Sequence, residues 1–159
     1  MPSRISVAAV VAAVFIVGTA VTPSANAAPS DDACSLLTQA QVSAAVGVPV
    51  GAGQYQGPDK KVCAWNRTGN ATEGAKFVTL LLQGLDAFQA GKQASVKTIV
   101  VTPVTGTGDD AYYLAVGDNV GLIVKKGKVA FKVAVYGQLP FEKKQSMEKT
   151  LAQQIVPHL

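Results

Sequence analysis

The stretch GDNVGLIVKKGKVAFKVAVYG, residues 117–137, predicts the β-hairpin around which the rest of the domain can fold. Apolar and polar side chains alternate along both halves, which is the two-residue period of a strand. A two-residue turn at Lys126 and Gly127 would place Leu122 opposite Phe131, so that one face of the hairpin is apolar throughout. The second face carries a mixture that suits partial exposure: Ile123, Lys125, Ala130, Lys132 and Tyr136.

Three earlier segments also have the patterns of strands. Residues 62–67 alternate between two sides, with Cys63 and Trp65 on one side and Val62 and Ala64 on the other, which is the two-residue period of a strand. Residues 76–83 are apolar on both faces, which predicts a central strand covered on both sides. Residues 95–104 are strand-like as far as Pro103, which marks the end of a strand or the edge of a sheet.

Helix signals lie before, between and after these strands. Thr38 and Gln41 form a capping box that begins a short helix, and Asp86 and Gln89 have the same spacing in the segment LDAFQAGKQ. Residues 140–157 place apolar side chains four apart, which predicts a C-terminal amphipathic helix lying across the hairpin. Hairpin-length links with few helical crossovers therefore predict an α+β domain, a mostly antiparallel sheet packed with helices in an α/β sandwich.

The N-terminal 27 residues have the features of an export signal. Arg4 is followed by an apolar run at residues 5–21, and Ala25-Asn26-Ala27 supplies the small-x-small pattern of a cleavage site. A retained membrane anchor is the alternative, although the run is slightly shorter than the roughly 20 residues that span a bilayer. We therefore expect a signal peptide at 1–27, a polar lead-in at 28–33, a single disulfide-stapled domain at 34–159, and a secreted, extracytoplasmic protein.

The charge of the chain excludes some partners. The formal net charge is +4, and loss of Arg4 with the signal peptide leaves +3. So mild an excess gives at most a weak attraction to anionic surfaces, and cleavage would leave no stable membrane anchor. Nucleic-acid binding requires a denser basic stripe with stacking aromatics, so we expect none.

The only two cysteines, Cys34 and Cys63, raise the question of a disulfide. The acidic residues just before Cys34 do not suit a lipid attachment site. Cysteines in an exported chain usually pair, and a bridge closing this loop would contribute about 3 to 4 kcal/mol. Two buried free thiols are the alternative; a metal site is disfavoured because His158 is the sole histidine.

The turn GTGDDAYY, residues 106–113, is the best candidate for chemistry, but it lacks the context that chemistry needs. Its glycines lead into a strand, so there is no helix N-terminus to hold phosphate. Asp109 and Asp110 offer too few oxygens for calcium, and His158 lies too near the chain end to activate a nucleophile. We expect no cofactor, no metal and no catalysis; a hydrolase or transferase using an acidic pair near Asp109 and Asp110 is the alternative.

Four aromatic side chains are candidates for a ligand or partner surface, although strand spacing also suits a structural role: Trp65, Tyr112, Tyr113 and Tyr136. The sequence therefore predicts a small exported non-catalytic domain. It would bind a protein partner in the cell envelope or outside the cell, or a small hydrophobic ligand. A further alternative is inhibition of a secreted protease by the loop GQYQGPDKK, residues 53–61.

Several motifs together carry a family resemblance: ACSLLTQAQVSAAVG at 33–47, CAW at 63–65, GTGDDAYY, and the Lys/Gly hairpin before a closing helix. With them the chain resembles a family of uncharacterised bacterial secreted proteins and lipoproteins, largely actinobacterial. The resemblance implies an α/β sandwich around an antiparallel sheet, with Cys34 and Cys63 as the bridged pair, and no established reaction. Several members have a lipidated cysteine upstream that this chain lacks, which implies a freely secreted branch.

Overall fold

The computed structural model describes residues 31–70 and 72–159, so the predicted signal peptide at 1–27 lies outside the described residues. The α-helices of the described part are α1 (Gln39–Val46), α2 (Leu85–Lys92) and α3 (Phe141–Ile155). Its strands are β1 (Gln54–Tyr55), β2 (Val62–Asn66), β3 (Gly74–Gln83), β4 (Ile99–Val104), β5 (Asp110–Val116), β6 (Asn119–Lys126) and β7 (Val129–Gln138).

The strands form one sheet in the order β1-β2-β3-β7-β6-β5-β4, and every neighbouring pair is antiparallel. Together with the helices, this arrangement confirms the predicted α+β class. β4 lies at one edge of the sheet, as Pro103 indicated, because a residue without an N–H is tolerated where no further strand pairs. The centre of the sheet is the pair β3 and β7, which are far apart in the chain.

The two faces of the sheet are covered unequally. On one face, α1 and α3 pack on the strands and bury the main core, in which Val42, Val78, Phe131 and Leu151 are fully buried. On the other face, α2 packs through Phe88 onto a smaller cluster at β5, β6 and the start of β7. The prediction that β3 is covered on both sides is therefore wrong, because α2 lies over other strands and one face of β3 is only half-buried.

The hairpin of β6 and β7 is present, but its register differs from the prediction. Leu122 pairs with Val133, not with Phe131, and the two turn residues are Gly127 and Lys128. Gly127 has a φ of 56°, which suits the first central position of a type II′ hairpin turn, where glycine is preferred. Because the register differs by two residues, each side chain keeps its predicted face.

The helix starts follow the sequence signals for α1 and α3 but not for α2. Thr38 and Gln41 form the complete predicted capping box at the start of α1. α3 begins after Pro140 and lies across β6 and β7, as its apolar period predicted. For α2 the predicted cap is wrong: Gly84 is the N-cap residue and Asp86 lies within the first turn, where its charge suits the positive end of the helix dipole.

The disulfide between Cys34 and Cys63 is formed, with 5.1 Å between the two Cα atoms. It joins the short 3₁₀ turn Ala33–Ser35 to β2. Gly53 lies directly against the bridge, because a Cβ at this position would come within 2.8 Å of the Cys63 sulfur. The start of the described chain is thereby fixed to the sheet.

Candidate functional site

Three of the four aromatic candidates are inside the protein and cannot form a partner surface. Trp65 is 1% exposed, Tyr112 is fully buried and Tyr113 is 9% exposed. The Tyr112 hydroxyl donates to the Phe88 carbonyl oxygen over 2.8 Å, which ties β5 to α2. Burial raises the pKa of both tyrosines to about 12, so each hydroxyl keeps its proton. The fourth candidate, Tyr136, is half-buried and can be reached by a partner.

Tyr113 has a structural role like that of Tyr112, but on the opposite face. Its hydroxyl donates to the Gln145 carbonyl oxygen of α3 over 2.8 Å. Successive side chains of a strand point to opposite faces, so the two adjacent tyrosines of β5 hold one helix each. Sequence alone could not separate these roles from ligand binding, because both uses place a tyrosine on a strand.

Asp109 and Asp110 are each engaged by a different element. Asp109 accepts hydrogen bonds from Lys126 Nζ at 2.8 Å and from the Gly127 amide at 2.7 Å, and these contacts lower its pKa. Asp110 pairs with Lys92 of α2. The two carboxylates therefore hold the β6–β7 turn and α2, although both residues also line an open depression of about 330 Å³. A catalytic pair here stays a prediction.

Metal and histidine chemistry have no arrangement to support them in the described residues. No group of three or more His, Cys, Asp or Glu side chains lies close enough to hold a metal ion within residues 31–70 and 72–159. His158 lies in the 3₁₀ turn Val156–His158 beyond α3.

A buried carboxylate lies between α3 and the sheet, where the pairing of β6 with β7 ends. That pairing runs from the turn as far as Leu122 and Val133. Beyond this pair, the amide of Val135 donates to Glu148 Oε1 over 3.0 Å, and Glu148 is fully buried. Lys144, one helical turn earlier, donates to the Asp118 carbonyl oxygen over 2.8 Å. Two side chains of α3 thus satisfy backbone groups of β7 and of the turn before β6.

Burial dominates the electrostatics of Glu148. Desolvation raises its pKa to about 7, although the Val135 amide, Lys132 and Lys144 each act to lower it. The second carboxylate oxygen, Oε2, has no hydrogen-bond partner in the described part of the chain. The group is therefore neutral at mildly acidic pH and becomes charged, at a cost, near neutrality.

One patterned and partly exposed surface is the part of the sheet that α2 leaves uncovered. We call it the open face, and it consists of side chains from β2, β3 and β7: Val62, Ala64, Asn66, Phe77, Thr79, Leu81, Lys132, Ala134 and Tyr136. The two alanines are buried beneath the larger side chains of this face. Its position follows from the strand order, because α2 packs at the β5 and β6 side of the sheet. The sequence signal that could have revealed it is the alternation of Asn66, Thr79 and Tyr136 with the buried residues of the same strands.

A shallow groove of about 230 Å³ lies on the β2 and β3 part of the open face. Ala64 and Thr79 are directly opposite each other on β2 and β3, and Asn66 is directly opposite Phe77. The Phe77 ring stacks on Tyr136, with 4.4 Å between ring centroids and 14° between ring planes. We call the depression the open-face groove; its lining residues are Gln56, Ala64, Asn66, Phe77 and Thr79.

Other depressions on the described surface are also shallow and open to solvent. One, of about 490 Å³, lies near the start of α3 beside Pro140 and Lys143. Another, of about 290 Å³, lies between Asp31, Lys61 and Lys128. A carrier of small apolar molecules normally encloses most of its ligand, and these depressions are open instead.

None of the helices in residues 31–70 and 72–159 is both long and apolar enough to cross a bilayer. Comparisons with protein-family models, with curated proteins and with solved structures gave no match to this chain. The resemblance to the bacterial secreted family therefore stays a prediction.

Proposed function

We propose that the protein is an exported, non-catalytic binding domain whose open face engages a partner in the cell envelope or outside the cell. The observation that carries the proposal is the open-face groove, where the Phe77–Tyr136 stack lies beside the uncharged polar side chains Asn66 of β2 and Thr79 of β3. Such strands hold their side chains in fixed positions, so binding would require little ordering.

The disulfide supports the extracytoplasmic part of this proposal. A bridge such as that between Cys34 and Cys63 persists in oxidising compartments, and it is rare in the reducing cytosol. The predicted signal peptide points to the same destination. A partner in the envelope or outside the cell is what a domain delivered there can reach.

A small hydrophobic ligand is the less supported form of the prediction, because the depressions are shallow and open. Protease inhibition by the loop 53–61 also stays a prediction. The loop is fixed by neighbouring groups: the Tyr55 hydroxyl donates to Asp32 at 2.7 Å, and the Lys60 carbonyl oxygen accepts from the Ala33 amide at 3.0 Å. Incubation with a panel of secreted proteases would test it directly.

The proposal can be tested by co-sedimentation of the mature protein with isolated cell envelopes of the producing organism. Thr79→Lys places a long charged side chain in the floor of the open-face groove, and we expect it to abolish sedimentation. Val100→Lys is the matched control, because Val100 is 60% exposed on β4 at the far edge of the sheet. If Thr79→Lys sedimented with the envelopes as fully as Val100→Lys does, and both variants kept their thermal stability, the open face would not be the binding surface.

A further inference from the structure

We infer that the occupant of the open-face groove is a chain of uncharged sugar residues, a neutral polysaccharide. The inference rests on the proposed function and names the class of partner. It depends on three properties of the groove: its uncharged lining, the presence of an aromatic ring in that lining, and its open shape.

The lining of the groove is polar but uncharged. Gln56 and Asn66 supply amide groups and Thr79 supplies a hydroxyl, while the described lining contains no Asp, Glu, Lys or Arg. Lys132 of β7 lies across Gly121 of β6 and so extends away from β3. A charged ligand would lose its hydration without finding an opposite charge, whereas a neutral ligand that donates and accepts hydrogen bonds matches this lining.

These polar side chains are available for a ligand. The side chains of Gln56, Asn66 and Thr79 make no hydrogen bond to another group in residues 31–70 and 72–159. Amides and hydroxyls both donate and accept, which is the capacity that pairs with the hydroxyl groups of a sugar. The backbone positions of these residues on the sheet are fixed by the cross-strand pairs Ala64–Thr79 and Asn66–Phe77.

The ring of Phe77 provides the apolar part of the site. One face of the ring is covered by Tyr136, and Phe77 itself lines the groove. The C–H groups on one side of a sugar ring form an apolar surface, which can pack against the flat face of an aromatic ring. Asn66 is directly opposite Phe77, so stacking and hydrogen bonding can act on the same sugar residue.

A protein partner fits these properties less well. The buried centre of a protein interface is rich in aromatic, Met and Arg side chains and is surrounded by a polar rim. The open-face groove differs from this pattern, because amide and hydroxyl groups line it together with one aromatic ring, and its described lining contains no Met or Arg. The shallow, open shape also suits a linear chain that passes through the groove.

The test separates a polysaccharide from a protein by treating the envelopes before co-sedimentation. One sample is digested with proteinase, and a second is oxidised with periodate, which cleaves the C–C bonds between adjacent sugar hydroxyls. We expect binding to survive the proteinase and to be lost after periodate. Binding that is lost with proteinase and survives periodate would overturn the polysaccharide inference and leave the proposed function intact. Absence of binding to untreated envelopes would overturn both.

The site is tested with the neutral polysaccharide that is released from proteinase-digested, delipidated envelopes and does not bind to an anion exchanger. We expect its titration to shift the backbone amide resonances of Ala64, Asn66 and Thr79 in the ¹⁵N-labelled domain. Phe77→Leu, which removes the flat ring, and Asn66→Ala, an exposed position, should each weaken binding about tenfold. The control Val100→Ala should bind as the wild type does. Unchanged affinity in both groove variants, with folded spectra, would overturn the inference.

Discussion

Glu148 should make the stability of this protein fall as the pH rises, and a single substitution can test this prediction. The pKa of Glu148 is raised from its ordinary 4.5 to about 7 in the folded protein. Between these two values the folded state binds more protons than the unfolded state, so unfolding becomes easier as the pH increases. At about 1.36 kcal/mol for each pKa unit, the free energy of unfolding should lose about 3 kcal/mol between pH 4.5 and pH 8.

The substitution is Glu148→Gln, which keeps an oxygen to accept from the Val135 amide and removes the titration. Its own cost, from burying a new amide group, is the same at each pH and does not affect the slope. Urea unfolding with the disulfide intact, at several pH values from about 4.5 to about 8, gives the free energy of unfolding of each protein. Relative to this variant, the wild type should lose about 3 kcal/mol of stability across that range.

A matched control is Glu142→Gln in the exposed first turn of the same helix. This variant should keep the pH profile of the wild type. Parallel profiles for wild type and Glu148→Gln would refute the reasoning, because they would mean that Glu148 is not desolvated in the folded protein. Above about pH 8 both profiles should be level with respect to this group.

Three further predictions concern single contacts. Replacing both Cys34 and Cys63 by Ser should lower the free energy of unfolding by about 3 to 4 kcal/mol in urea titrations, whereas an unchanged midpoint would mean that the bridge does not constrain the unfolded chain. Gly91→Ala should lower the free energy of unfolding by about 1 to 3 kcal/mol, because the new Cβ would collide with the Tyr112 hydroxyl. In the double variant with Tyr112→Phe, part of this stability should be recovered. If the effects of the two substitutions simply added, the contact would be contradicted. Asp109→Asn should lower the melting temperature at neutral pH, where the paired carboxylate is charged; an unchanged melting temperature would contradict its role in holding the β6–β7 turn.

The local elements were predictable because their signals are local. The capping box of Thr38 and Gln41 and the apolar period of α3 each involve neighbouring residues, and both appear in the structure. The faces of the hairpin were also correct, since alternation fixes the face of a side chain. The register was wrong because both Lys126–Gly127 and Gly127–Lys128 are acceptable two-residue turns in the sequence.

The open face was not predictable because it depends on contacts between distant parts of the chain. The pattern of β3 shows apolar residues on both sides, but it does not show that α2 packs on β5, β6 and the start of β7 and leaves Phe77 and Leu81 partly exposed. The buried position of Glu148, in contrast, had a signal in the sequence. Glu148 lies on the same stripe of α3 as Leu151 and Ile155, so it faces the sheet.

The central pairing of β3 with β7 has a consequence for the order in which the molecule folds. Val78 of β3 pairs with Val135 of β7, and one helix and three strands lie between them in the chain. The middle of the sheet therefore cannot assemble until β7 has been made, and pairings between such distant segments form slowly. The bond between Cys34 and Cys63 spans a short N-terminal segment and can close much sooner. A chain that emerges with its N-terminus first would thus form its disulfide early and complete its sheet last.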